Sequence, residues 1–204
     1  MARTVDPQRV AERRAAILTA AASLFASNGF EGTTIAAVAR KAGMSPGNVF
    51  HYFPDKAALF RGLFEQSIVE FAELVEQHAH RPDPVPALLD LIEAQVGEAL
   101  DPVAPGLMVE VLRRVGHDDE LTRLVTAEEE LAFTTYRALL ERADAAGDID
   151  SGFDLDATAR WLIAIVDAAF LHADPDNSAD PRPLVRLTIT RLLTARTEFN
   201  DQHR

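Results

Sequence analysis

Residues 33–60, TTIAAVARKAGMSPGNVFHYFPDKAALF, constrain the fold more tightly than any other stretch of the chain. Thr33 or Thr34 can cap a first helix, a hydroxyl taking one of the N–H groups left open at its start. Ile35, Val38 and Ala39 fall at helical spacing and give that helix one apolar face. Gly43 follows Ala42 where a residue of positive φ closes a last turn. Met44 fills the angle, Ser45 caps a second helix, and Pro46 stands at its first position, where a missing N–H is no loss. Val49, Phe50 and Phe53 are expected to anchor this second helix to the core. Pro54 and Asp55 end it, and Asp55 caps a third helix that starts at Lys56. Two short helices joined by a tight glycine turn form a helix-turn-helix, which sets the tip of one helix against base edges in the DNA major groove. Here the tip is Ser45-Pro46-Gly47-Asn48. The plain alternative is three core helices with a short turn, since caps and glycines recur in any helical protein.

Charge separates these readings. The 204 residues carry a net −12, which at first argues against nucleic acid. The distribution reverses that. Residues 1–60 carry net +3 and both lysines of the chain, Lys41 and Lys56, while the remainder carries net −15. A cationic head gains affinity by releasing counterions from phosphates, and an acidic body is repelled from the duplex. Arg40 and Lys41 are therefore candidate phosphate contacts.

From about Arg13 to Phe71 the chain resembles the DNA-binding domain of the tetracycline-repressor (TetR) family. The resemblance rests on Ile17-Leu18, Ala21, Leu24-Phe25, Gly29-Phe30, Thr33-Thr34-Ile35, Val38-Ala39, Ala42-Gly43-Met44-Ser45, Gly47, Val49, Phe53, Asp55-Lys56 and Leu59. It implies an all-α fold, a homodimer, and repression released by a ligand. Carried over by position, it implies phosphate contacts from Thr34, Tyr52 and Lys56, and a groove-facing surface of Ser45, Pro46, Gly47, Asn48 and His51. Asn48 is the best candidate for a base contact, because its amide can pair with adenine N6 and N7. One position departs from the family: Phe50 stands where a tyrosine hydroxyl commonly meets a phosphate. Phe50 is expected to keep the packing and lose that bond, with His51 and Tyr52 taking over part of the contact.

Beyond the head, proline and aspartate punctuate a series of helices. The spacing predicts a helix from Lys56 to about His78, which begins in the head and ends in the body, so that a shift in one would tilt the other. Further helices are expected from Asp83-Pro84 to about Leu100, Leu107 to about Val115, about Asp119 to Ala146, and Asp154 to about Ala173. Residues Asp174–Pro183 read as a linker, and a last helix as running to about Phe199. About nine helices result: three in a helix-turn-helix domain over 9–60, the others in a helical bundle over 61–204. The helix after Asp154 is apolar nearly all round, so one face against its own subunit is not enough. With the last helix it is expected to form a four-helix dimer seam, through Leu162, Val166, Asp167, Leu184, Leu187 and Leu192. Burial within one chain is the alternative. Asp167, inside an apolar run, must be paired, capped or facing the partner, and a ligand anchor is the sharper reading.

Catalytic and metal patterns are thin. Gly43-Met44-Ser45-Pro46-Gly47 matches the hydrolase elbow G-x-S-x-G, but that elbow follows a strand, and a helix precedes it here. His78 and His80 lie at a helix end with no cysteine in the chain, no H-E-x-x-H, and no Glu three residues before any histidine. There is no G-x-G for a dinucleotide or phosphate loop. No catalytic residue, metal or cofactor is expected. The charge-free run 15–30 is too short to cross a bilayer, so no membrane partner is expected and the chain reads as cytoplasmic.

The resemblance implies an effector site in the body, where Phe64, Phe71, Met108, Val111, Phe133, Tyr136, Trp161 and Phe170 are candidate lining residues for an apolar or amphipathic compound. Each reads first as plain core, and a pocket lining is the second reading. The sequence thus leads to a homodimeric DNA-binding regulator, a repressor of a palindromic operator on double-stranded DNA, released by an unidentified small molecule. A body used only for dimerisation or docking a protein is the alternative, and a helical-bundle enzyme a third reading.

Overall fold

Helix signals in the sequence translate directly into elements. The computed structural model describes residues 6–150, 152, 154–172 and 180–194. Among them are nine α-helices and no strand: α1 Pro7–Gly32, α2 Ile35–Lys41, α3 Pro46–Tyr52, α4 Lys56–His78, α5 Pro84–Glu98, α6 Ala104–Arg114, α7 Asp119–Ala146, α8 Leu155–His172 and α9 Arg182–Thr194. The expected bounds of α4 are met at both ends. Asp154 caps α8, its Oδ1 accepting from the N–H groups of Asp156 and Ala157. Gly147 closes α7 at φ 75°. Asp83 precedes α5 but makes no side-chain capping bond, so Pro84 alone marks that start. The stretch of α9 expected beyond Thr194 and most of the linker before it lie outside the described residues.

The helices form two compact units. Residues up to 69 do not close the first unit by themselves: residues 102–125, α6 and the first turns of α7, belong to it. This division differs from the contiguous cut at residue 60 read from the sequence. Its core joins Ile17, Phe25, Val38, Val49, Leu59 and Phe60 with Val111 and Leu121. Phe25 and Phe60 meet edge-to-face at 5.0 Å, and Phe25 and Phe30 stack at 5.6 Å.

The join between α1 and α6 has a specific chemistry. Gly29 breaks α1 at φ 71°. That frees the N–H of Phe30, which donates to Oε2 of Glu110 at 2.9 Å. Glu110 is 6% exposed, and its other oxygen accepts from Arg113 at 2.8 Å. Gly106 lets α6 lie against α1, since a Cβ there would sit 2.6 Å from the carbonyl oxygen of Ala26. Arg114 lies over the Phe30 ring at 3.5 Å. Burial pushes the Asp118 carboxyl up, but the Leu121 N–H and the Arg61 guanidinium outweigh it and hold it below its ordinary range.

The second unit takes residues 70–101 and those after 125. Phe71, Leu88, Leu91, Ile92, Tyr136, Leu140, Leu162, Val166, Ile189 and Leu193 form its core. Tyr136 is fully buried and its hydroxyl donates to Oε1 of Gln95. Arg186 ties α9 to α5 through Asp90 at 3.0 Å and Glu93.

Candidate nucleic-acid interface

The turn between α2 and α3 is built from backbone up. The N–H of Met44 reaches the Ala39 carbonyl at 2.8 Å and that of Gly43 reaches Arg40 at 3.2 Å, with Gly43 at φ 67°. This closes α2 by the left-handed glycine cap. A Cβ on Gly43 would meet nothing within 4 Å, so φ alone requires glycine there. Thr34 Oγ1 accepts from Ala37 N at 3.1 Å, and Ser45 Oγ from Asn48 N at 3.3 Å. Thr33 plays a different part, because its buried hydroxyl donates to the carbonyls of Leu24 and Gly29 and seals the break in α1. Asp55 Oδ1 accepts from Ala58 N at 2.7 Å and starts α4.

These caps orient α3 by a single inward side. Val49 is fully buried and Phe53, just beyond the helix, is 4% exposed. Ser45, Pro46, Gly47, Asn48 and His51 are all exposed, as expected for a groove-facing tip. Tyr52 is half-buried and meets His51 edge-to-face at 5.4 Å. Phe50 corrects the sequence reading. It is 51% exposed, so it does not anchor α3. Val49 and Phe53 suffice, and Phe50 lies about 100° round the helix from Val49.

The basic candidates differ among themselves. Arg40 is exposed at the end of α2, with no ion pair among the described residues. Lys41 is exposed and donates to Ser23 Oγ at 2.7 Å. Lys56 turns inward: its ammonium donates to the Phe30 carbonyl at 2.7 Å and lies 4.3 Å above the Phe30 ring. It therefore fastens the end of α1 to the start of α4. Sequence reasoning missed that link, which joins residues 26 apart.

The candidate effector residues do not share one unit. Phe64, Met108 and Val111 belong to the first, and Phe71, Phe133, Tyr136, Trp161 and Phe170 to the second. Phe71 and Tyr136 are core, whereas Trp161 is 61% exposed and lines no interior of its unit. The seam candidates also divide. Leu162 and Val166 point into their own core, and Leu192 is half-buried. Leu184 and Leu187 are exposed, as are Trp161 and Leu171, which the sequence reading did not place there. Asp167 is exposed on α8, and its carboxyl is raised by partial burial and by Glu129. Among the described residues no group of acids and histidines suits a metal ion, and no helix is long and apolar enough to cross a membrane.

A capped, glycine-turned helix pair with an outward polar tip, on the basic end of an acidic chain, defines a helix-turn-helix DNA-binding regulator. The model of bacterial regulatory proteins of the tetR family matches residues 17–63. The repressor AcnR of Corynebacterium jeikeium is 27% identical over 169 residues, covering 80% of this chain and 82% of its own. In fold the chain is similar to a TetR transcription regulator from Haloarcula marismortui, with a TM-score of 0.77 at 17% identity, over 90% of this chain and 97% of the other. It is likewise similar to the regulator FadR of Bacillus subtilis, solved in complex with stearoyl-CoA, with a TM-score of 0.75 at 20% identity, over 89% and 97%. Residues 17–63 thus carry the DNA-binding domain of the tetR family of bacterial regulatory proteins, and the chain resembles helix-turn-helix transcriptional repressors over most of its length.

Proposed function

We propose that the chain is a cytoplasmic homodimer that represses from a palindromic operator and is released by an apolar or amphipathic small molecule bound in its second unit. The observation that carries the dimer is the outward apolar surface of α8 and α9. Trp161 and Leu171 on α8 and Leu184 and Leu187 on α9 stand in water, and covering such area contributes about 25 cal/mol per Å². Two heads on one dimer then meet half-sites about 34–36 Å apart.

Support for the effector is of another kind. The second unit has an apolar core that also holds the Tyr136–Gln95 hydrogen bond, so a compound with an apolar body and few polar groups would find matching chemistry there if the core opened. The FadR relative of like fold was solved with an acyl-CoA. Release would work only through a difference in affinity for two states of the protein. Within the head, Asn48 is the base-reading side chain, and Thr34, Arg40, Lys41 and Tyr52 hold phosphates.

Selection of duplexes from random and genomic DNA with the full-length protein tests this reading. One palindrome is expected, and Asn48→Ala should lose about 1–3 kcal/mol at one base position per half-site while leaving the others intact. A uniform loss at all positions would remove Asn48 from base reading. Recovery of no preferred sequence would overturn operator binding.

A further inference from the structure

Two neighbouring residues of α3 are not required by the fold in the form they take. Phe50 is 51% exposed although Val49 and Phe53 already supply the anchoring. Gly47 is helical and has no positive φ, and a Cβ there would meet only Ser45 Oγ at 4.0 Å. A glycine in a helix loses more backbone freedom than alanine would, and no contact within the chain offsets that. A bare Cα on an open helix face is useful where another molecule comes close.

Gly47 and Phe50 are three residues apart, so they adjoin on the helix surface. Exposed Asn48 and His51 flank them. The result is an aromatic ring beside open backbone, within the surface that faces the groove. A phenyl ring offers no hydrogen bond to a phosphate or to a polar base edge. One group on the major-groove edge of the base pairs is apolar, the C5 methyl of thymine.

We propose that Phe50 is a specificity-determining residue that packs its ring on a thymine methyl in each half-site, with Gly47 providing the clearance that brings it there. The inference rests on sequence-specific binding through α3. It adds a base preference that the polar residues of the tip do not supply.

The test compares full-length wild type and Phe50→Ala on two random duplex libraries, one with thymine and one with uracil in its place. The wild type should select thymine at one position per half-site. It should bind the uracil form of the selected duplex about fourfold more weakly for each contacted methyl, one per half-site, the factor for withdrawing one such group from water. Phe50→Ala should lose that preference, bind both forms equally, and keep its other base preferences. Phe50 is exposed, so the variant is expected to fold, which circular dichroism checks. Gly47→Ala should act with opposite signs, raising the thermal midpoint by about 2–4 °C and weakening the selected duplex at least tenfold. Equal binding of both forms by the wild type would overturn the proposal, as would methyl sensitivity persisting in Phe50→Ala. A Phe50→Ala loss independent of the methyl would place the ring on the sugar–phosphate backbone and also overturn it. An unweakened Gly47→Ala would overturn the clearance. No motif from either library would fell operator binding itself, whereas a motif indifferent to the methyl would fell this inference alone.

Discussion

In the first unit an exposed aromatic, Phe50, shares α3 with exposed Asn48 and His51 on the basic end of the chain; in the second, Trp161, Leu171, Leu184 and Leu187 are exposed on α8 and α9. Both depart from burial of large apolar groups, but the company differs. A single ring among donors, acceptors and cations suits a charged polymer with a few apolar points. Several apolar side chains exposed on two consecutive helices suit a surface of their own kind. The neighbours of an exposed apolar residue therefore say more about its partner than its exposure does.

The largest effect that would break this contrast comes from the second unit. Trp161→Asp with Leu184→Asp should raise the dimer dissociation constant by about a hundredfold or more, since each buried side chain contributes about 1.5–3 kcal/mol. Light scattering should report monomers and gel shift a loss of operator binding. A dimer that survives would place the seam elsewhere.

Next in size is a change inside the first unit. Glu110→Ala leaves the Phe30 N–H buried without its acceptor, at a cost of about 1–3 kcal/mol in chemical denaturation. Glu110→Gln keeps an acceptor and should recover much of it. Equal losses would mean that the carboxylate charge, and not the bond to Phe30, holds α6 to α1.

The smallest effect is a pH dependence confined to the second unit. Glu98 is exposed on α5 as a residue, but partial desolvation of its carboxyl, then the carboxylates of Glu128 and Glu70, push it from 4.5 up to about 7. Folding takes up a proton there, so this share of stability is full below pH 4.5 and lost as pH rises through about 7. The thermal midpoint should fall from about pH 5 to about pH 8, and Glu98→Gln should flatten the fall. An unchanged slope would assign the dependence to other groups.

What the sequence revealed follows how local each signal is. Ser45, Gly43, Asp55, Asp154 and Gly147 act on backbone groups within about five residues, so α2, α3, α4, α7 and α8 were placed closely. The exposed tip of α3 followed from the same caps. Phase around a helix is harder. With apolar residues on nearly every side of α8, nothing in the pattern said that Leu162 and Val166 turn inward while Trp161 and Leu171 turn out. On α3, Phe50 was grouped with Val49 and Phe53 as an anchor, although only Val49 and Phe53 turn inward. Lys56 looked like a phosphate contact because its true acceptor, the Phe30 carbonyl, lies in another helix. Glu110 carried no signal at all, its partner being 80 residues away.

The break in α1 also bears on how the chain comes off the ribosome. Phe30 waits for Glu110, Ala26 for Gly106, and the Phe30 ring for Arg114. The segment that reads DNA is made early, yet its core cannot close until the chain has grown through residue 125. By then residues 70–101 have emerged without α8 and α9, on which their own packing depends. Synthesis at about 5–20 residues per second leaves apolar faces of both units uncovered for several seconds. Two interrupted units thus share one interval of vulnerability, set by chain connectivity and not by the strength of any contact.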